Sequence, residues 1–177
     1  MFPQQRRIYS NLVNEVRNKH VLEAGCGDGV GSALLSLYCS TFVATDVLQE
    51  NLKFARAVYP WIEFRQWDIK EPWTKGSYEQ VVCIETIEHV SDPEKALHNL
   101  CSITKDVLWI STPNGNNKSN PLDPPSNHYH VYEFSPGEFL QLVGKQHIVR
   151  ILDYESMKEL DSDTKVNPLV YQIYINS

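Results

Sequence analysis

No apolar run in this chain reaches the ~18 residues that a membrane-spanning helix needs, and the start, MFPQQRRIYS, lacks the apolar core of a secretory leader. The expectation is a cytoplasmic protein with no membrane partner. Basic residues are also scarce. Sixteen Lys and Arg against 22 Asp and Glu leave a net charge of -6, which disfavours a nucleic-acid partner, because a phosphate backbone calls for a basic face. Only a local basic patch would reverse that. The four cysteines, Cys26, Cys39, Cys83 and Cys101, never fall at C-x-x-C spacing. They read as small buried hydrophobes in a reducing compartment rather than metal ligands or disulfide partners. Internal repeats are absent too. At 177 residues the chain is long enough for one sizeable core, and residues 1–177 read as a single domain.

One more absence lies inside the most informative stretch, VLEAGCGDGVG from Val21 to Gly31. Apolar residues running into glycines read as a buried parallel strand, a tight turn and a helix from about Val30 to Tyr38. Bare backbone at Gly25, Gly27, Gly29 and Gly31 lets a ligand lie against the turn. The third glycine of G-x-G-x-x-G is missing, so a nicotinamide dinucleotide fits poorly. The acid expected some 20 residues on is present as Asp46, at the end of FVATDV, where a carboxylate can accept ribose hydroxyls.

Strands and helices then alternate. Residues 4 to 18 form a helical segment with Ile8, Leu12, Val13 and Val16 at helical spacing. Phe42 to Thr45, Ile62 to Trp67, Glu79 to Ile84 and Val107 to Ser111 read as strands, and the continuous VVCI run marks a central one. Leu48 to Val58 is helical and is stopped by Pro60. Asp92-Pro93 caps another helix that runs to about Ile103. Residues 113 to 128 form a turn-rich loop, and 113–132 as a whole is a candidate substrate loop. Ser135-Pro136-Gly137-Glu138 is a capping box with Phe134 and Phe139 placed as a staple. His147 to Tyr154 and Leu169 to Ile175 are the last strands. The pattern is α/β, a doubly wound, mostly parallel sheet.

In order from about Val21 to Phe139, VLEAGCGDG, TDV, WDI and VVCIETIEHVSDPEKAL resemble the class I S-adenosylmethionine-dependent methyltransferases. The resemblance implies a seven-stranded sheet in the order 3-2-1-4-5-7-6, ending in an antiparallel hairpin. It implies S-adenosyl-L-methionine as cofactor. Gly25, Cys26, Gly27 and Gly29 would hold its methionine half, with Glu23 near the amino group. Asp46 with Val47 would take the ribose, Asp68 with Ile69 would border the adenine beside Trp67, and Glu85 would close the far wall. The segment 1–18 would cover the cofactor and bring Arg6, Arg7 and Tyr9 within reach, although a solvated helix start is the favoured reading of those residues.

Methyl transfer from a sulfonium needs alignment and dryness more than covalent help. A hydroxyl acceptor also needs its proton taken or its pKa lowered. If Glu85 to His89 is one helical turn, Glu85, Glu88 and His89 share a face. With His130 from the returning loop they make a candidate site for Mg or Mn. This E-x-x-E-H turn with a later histidine resembles the metal-dependent small-RNA 3′-terminal 2′-O-methyltransferases. The same turn occurs in metabolic O- and N-methyltransferases resembling the ubiquinone-pathway enzymes, where Glu88, His89 and His130 would be base or substrate contacts. His128 lies on the same loop, and Tyr129 and Tyr132 are candidates for an acceptor pocket. His20, His98 and His147 read as structural.

The reading is a methyltransferase acting on a hydroxyl or amine of a small-molecule or sugar-type acceptor. Its alternatives are a metal-assisted RNA or ribose 2′-O-methyltransferase and a non-catalytic cofactor-binding subunit. A nicotinamide-dependent oxidoreductase comes last. A chain so close to the bare fold suggests an open site, completed by the loop, a homodimer or a partner.

Overall fold

In the computed structural model, residues 2–117, 125, 127–145 and 147–175 are described. The first helix, α1, covers Pro3–Glu15 and starts at a proline, which needs no hydrogen-bond partner at that position. Strand β1 is His20–Ala24, helix α2 Val30–Ser36 and strand β2 Thr41–Asp46. Helix α3 is Gln49–Val58, strand β3 Glu63–Gln66 and strand β4 Tyr78–Ile84. A short 3₁₀ turn, Ile87–His89, leads to α4, Pro93–Ile103, whose Asp92 cap accepts the Lys95 N–H at 3.1 Å. Strand β5, Thr104–Thr112, follows with no loop at all. A second 3₁₀ turn lies at Gly115–Asn117. Helix α5 is Pro136–Val143, and strands β6 and β7 are Ile148–Asp153 and Leu169–Tyr174.

All seven strands form one sheet in the order β3-β2-β1-β4-β5-β7-β6. The first five pair in parallel, and β7 lies antiparallel between β5 and β6. This is the class I methyltransferase arrangement, as expected. Parallel strands covered on both faces must be apolar throughout, and β4 meets that demand. Val81 and Cys83 face α4 and α5 in one core layer, while Val82 and Ile84 face α1 and α2 in the other. Helix α3 packs Leu52 and Ala55 onto Ala44 and Phe64.

The alternation sends every β-to-α connection of the parallel strands to the same sheet edge. The loops after β1, β2, β3 and β4 therefore converge, which is where open α/β sheets take their ligands. From the other side α5 anchors the return of the chain. Its capping box has Ser135 Oγ accepting the Glu138 N–H at 3.3 Å and the Glu138 carboxylate accepting the Ser135 N–H at 2.8 Å. The Phe134 and Phe139 rings meet edge-on at 5.9 Å, so the expected staple forms. Residues 118–124 and 126 of the candidate substrate loop lie outside the described residues.

Candidate active site

A cavity of about 690 Å³ opens where the four loops converge. Gly25, Cys26, Gly27, Asp46, Val47, Asp68, Ile69 and Glu85 all line it. Asp46 ties two loops together: one carboxylate oxygen accepts the Gly27 N–H at 2.8 Å, the other the Leu48 N–H at 2.8 Å. Asp68 lies at the mouth, with Lys70 Nζ 3.6 Å away. Trp67 flanks the same wall.

The glycines have separate reasons. A Cβ on Gly25 would sit 2.3 Å from the Thr86 hydroxyl, and one on Gly31 would enter the Tyr9 ring at 2.2 Å. Both positions are bare so that protein can pack against them. At Gly27 nothing lies within 4 Å of a Cβ, and there the backbone is open to a ligand. Gly29 caps α2 and does not line the cavity.

Glu23 does not line it either. Its side chain is fully buried, and its two oxygens accept the hydroxyls of Tyr9 and Ser32. Burial, partly offset by those two hydrogen bonds, leaves its carboxyl above the usual range. The acid before the glycine turn thus docks α1. Tyr9 and Gln5 of that helix reach the cavity wall, whereas Arg6 and Arg7 are exposed and do not.

The turn after β4 departs from the expected single helical face. Glu85 takes a left-handed backbone, φ +48°, so it stands outside the 3₁₀ turn. Its carboxylate instead accepts the Ser111 hydroxyl at 2.7 Å. Burial pushes its carboxyl up to about 7, against that hydrogen bond. The four-residue set becomes three: Glu88, His89 and His130 each offer one ligand atom, all within 4.8 Å of one another. His128 is not among them; its ring lies against Tyr129 at 3.8 Å.

The three side chains are held in defined states. The Nδ1 of His89 is 2.9 Å from the Tyr129 carbonyl, which can only accept, so Nδ1 carries a proton and, in the neutral ring, Nε2 carries the lone pair. That Nε2 lies 3.9 Å from a Glu88 oxygen. Glu88 is 1 % exposed, and neither of its oxygens has a hydrogen-bond partner among the described residues. Thr112 approaches it, but its Oγ1 is likewise left without a bond of ordinary geometry. Burial first, then the Glu85 carboxylate, push the Glu88 carboxyl well above its usual range. The Glu88 carbonyl accepts the N–H groups of Val131 and Tyr132 at 2.7 and 3.1 Å. That pins the returning loop over the turn.

Residues 22–107 match the family model described as a methyltransferase domain. A probable S-adenosylmethionine-dependent methyltransferase of Mycobacterium tuberculosis is 29% identical over 145 residues, covering 80% of this chain and 53% of the relative. A ubiquinone biosynthesis O-methyltransferase of Bordetella avium is 30% identical over 125 residues, covering 66% of this chain and 52% of the relative. Over these spans the chain is similar to the S-adenosylmethionine-dependent methyltransferases. A family structure from Clostridium acetobutylicum superposes with a TM-score of 0.78 at 13% identity, covering 98% of this chain and 91% of that one. The chain spans about half the length of the relatives it matches.

Thr86, in the candidate turn after β4, lines the cavity, and so do Gln5, Asn51 and Lys70, which the sequence does not single out. Asn51 had a readable signal: it lies five residues beyond Asp46, on the first turn of the following helix, and its amide reaches the Asp46 carboxylate at 3.4 Å. Gln5 had none, because only the packing of α1 brings it there. Tyr129 is exposed, and Tyr132 lines a second cavity of about 820 Å³ beyond the loop.

Proposed function

We propose that the chain moves the methyl group of S-adenosylmethionine onto a hydroxyl of a small-molecule or sugar-type acceptor, with a divalent cation at Glu88, His89 and His130. The observation that carries the cation is Glu88. Two buried carboxylate oxygens without a donor face an imidazole lone pair, an arrangement of acceptors that a cation would complete. A cation there would lower the pKa of the acceptor hydroxyl and orient it.

The chain's own residues do the rest. Gly27 and Asp46 support the cofactor's position at the carboxyl ends of β1 and β2, and α1 covers it with Tyr9 and Gln5. Glu85, beside Thr86, borders the space between cofactor and cluster. In-line geometry is the main contribution to rate. The segment 127–132, pinned at Val131 and Tyr132, is the acceptor's near wall, and residues 1–177 act as one domain. A relative named as an O-methyltransferase supports a hydroxyl acceptor. The net charge of -6 supports a small acceptor over RNA.

A second reading uses the same side chains without a cation. The Nε2 of His89, held as the lone-pair nitrogen, would take the acceptor's proton directly. Calorimetric titration of manganese(II) into protein saturated with S-adenosylhomocysteine separates the two. Binding that is abolished in Glu88→Gln supports the cation; a flat titration of the parent protein leaves His89 as base. Retained methyl transfer in chelator would likewise sink the cation reading.

A further inference from the structure

We infer that Glu133 is a positioning residue of this site, which holds His130 as the Nδ1–H tautomer and leaves a lone pair on Nε2, where the Asn127 amide donates. The inference rests on the reading above for the use of that lone pair, and on geometry for the tautomer. The Nδ1 of His130 lies 3.0 Å from a Glu133 carboxylate oxygen. The two side chains are 10% and 5% exposed, so this is a buried contact, where a misplaced polar group is costly.

The other ring nitrogen gives an independent answer. Asn127 Oδ1 accepts the Tyr129 N–H at 3.1 Å, which fixes the orientation of that amide. Its Nδ2 therefore faces His130 Nε2 at 3.2 Å as a donor. A nitrogen that receives a hydrogen bond carries no proton, so Nδ1 must. Carboxylate and amide agree on one tautomer. His89 shows the same pattern with the Tyr129 carbonyl as its orienting acceptor.

The frame around Glu133 is built to hold it. The backbone just before it is tied to the Glu88 carbonyl through Val131 and Tyr132. Just after it, the Phe134 carbonyl accepts the Gly115 N–H at 2.8 Å, and Ser135 caps α5. The spacing of three residues between His130 and Glu133 is not helical here; the carboxylate reaches its histidine because both ends of the segment are fixed. Such orienting partners of imidazole ligands typically carry about 10–100-fold in metal affinity.

The test has two arms. ¹⁵N-histidine NMR of the parent protein, above about pH 8 where imidazole is neutral, should show His130 as the Nδ1–H tautomer. Glu133→Ala should shift it toward the other tautomer, and Glu133→Gln, which keeps a carbonyl acceptor, should retain it. Manganese(II) affinity should fall by about 10–100-fold in Glu133→Ala while S-adenosylhomocysteine affinity stays that of the parent. Glu133→Leu replaces the alanine variant if the latter fails to bind S-adenosylhomocysteine. An Nε2–H tautomer in the parent protein overturns the inference without any variant, as does an unchanged His130 spectrum in Glu133→Ala or Glu133→Leu. If the parent binds no manganese(II) but the tautomer behaves as described, the cation reading falls and the positioning role stands.

Discussion

Asp46 does two jobs at once. Its carboxylate receives backbone N–H groups from two different loops and still faces the cofactor cavity. Hydrogen bonds to a charged group are worth about 1.5–3 kcal/mol each, so Asp46→Ala should weaken S-adenosylhomocysteine binding by about 10–100-fold, read by calorimetry. Gly31 gives a stability test. Its Cβ would enter the Tyr9 ring, so Gly31→Ala should cost about 1–3 kcal/mol in urea unfolding. Adding Tyr9→Ala should recover part of that loss in a double-mutant cycle; simple additivity would show that the two do not meet. Glu85 gives the pH test. Unfolded, its carboxyl ionises near 4.5; folded, it keeps its proton to about 7. Between those values the folded state binds the extra proton. Stability therefore falls as pH rises through the window, and the loss is complete above about 7. In chelator, the Tm of the parent should drop more between about pH 5 and pH 8 than that of Glu85→Gln. Equal slopes would contradict the shift. Residue identities around the cavity were largely legible, because Asp46 ends β2 and Asp68 follows β3 by two residues, after strands whose pattern is plain. The role of Glu23 was not, since its partners Tyr9 and Ser32 come from elements whose packing no local pattern reveals.

At the scale of elements, legibility followed the strength of local signals. The start of helix α5 was readable to the residue because proline, a capping box and a staple coincide at Ser135. The turn after β4 was not. Its sequence fits a helical face, but Glu85 is held by Ser111 from β5, and that tertiary hydrogen bond sets a backbone that ends the face before it starts. Strand β5 was read too short, because Thr104, Lys105 and Asp106 are polar and yet extend directly from α4. The cap makes a test that separates stability from chemistry. Ser135→Ala should cost about 1 kcal/mol, a Tm drop of about 2–4 °C for a domain of this size. Manganese(II) affinity should fall with it, because α5 anchors the segment that carries His130 and Glu133. Loss of stability with unchanged metal affinity would show that the loop keeps its place without the helix.

For the molecule as a whole, strand order followed from the family resemblance alone, and the structure has that order; the side of the sheet that carries the cavity followed from alternation. Its acceptor is another matter: an acceptor is recognised by loops, and loop composition says little about shape. The family also sets a whole-protein expectation. S-adenosylhomocysteine should raise the Tm by several degrees at concentrations well above its Kd, and NADH should leave it unchanged, since the glycine turn lacks the dinucleotide spacing. A shift with NADH alone would overturn the cofactor assignment.

The place of β7 between β5 and β6 bears on how the chain is made. Synthesis delivers β6 before β7, the strand it pairs with among the described residues. Until β7 arrives, β5 presents a bare edge, the kind of surface on which another chain can grow. At about 5–20 residues per second, the chain between Thr112 and Leu169 keeps that edge open for roughly several seconds, to which the segment between β6 and β7 adds on the order of one. The parallel half, with nearly every group that lines the cofactor cavity, has by then left the ribosome. The polar stretch from Asp153 to Asn167 therefore sets a timer as well as a connection. Lengthening it should leave the finished fold intact and lower the yield of soluble protein.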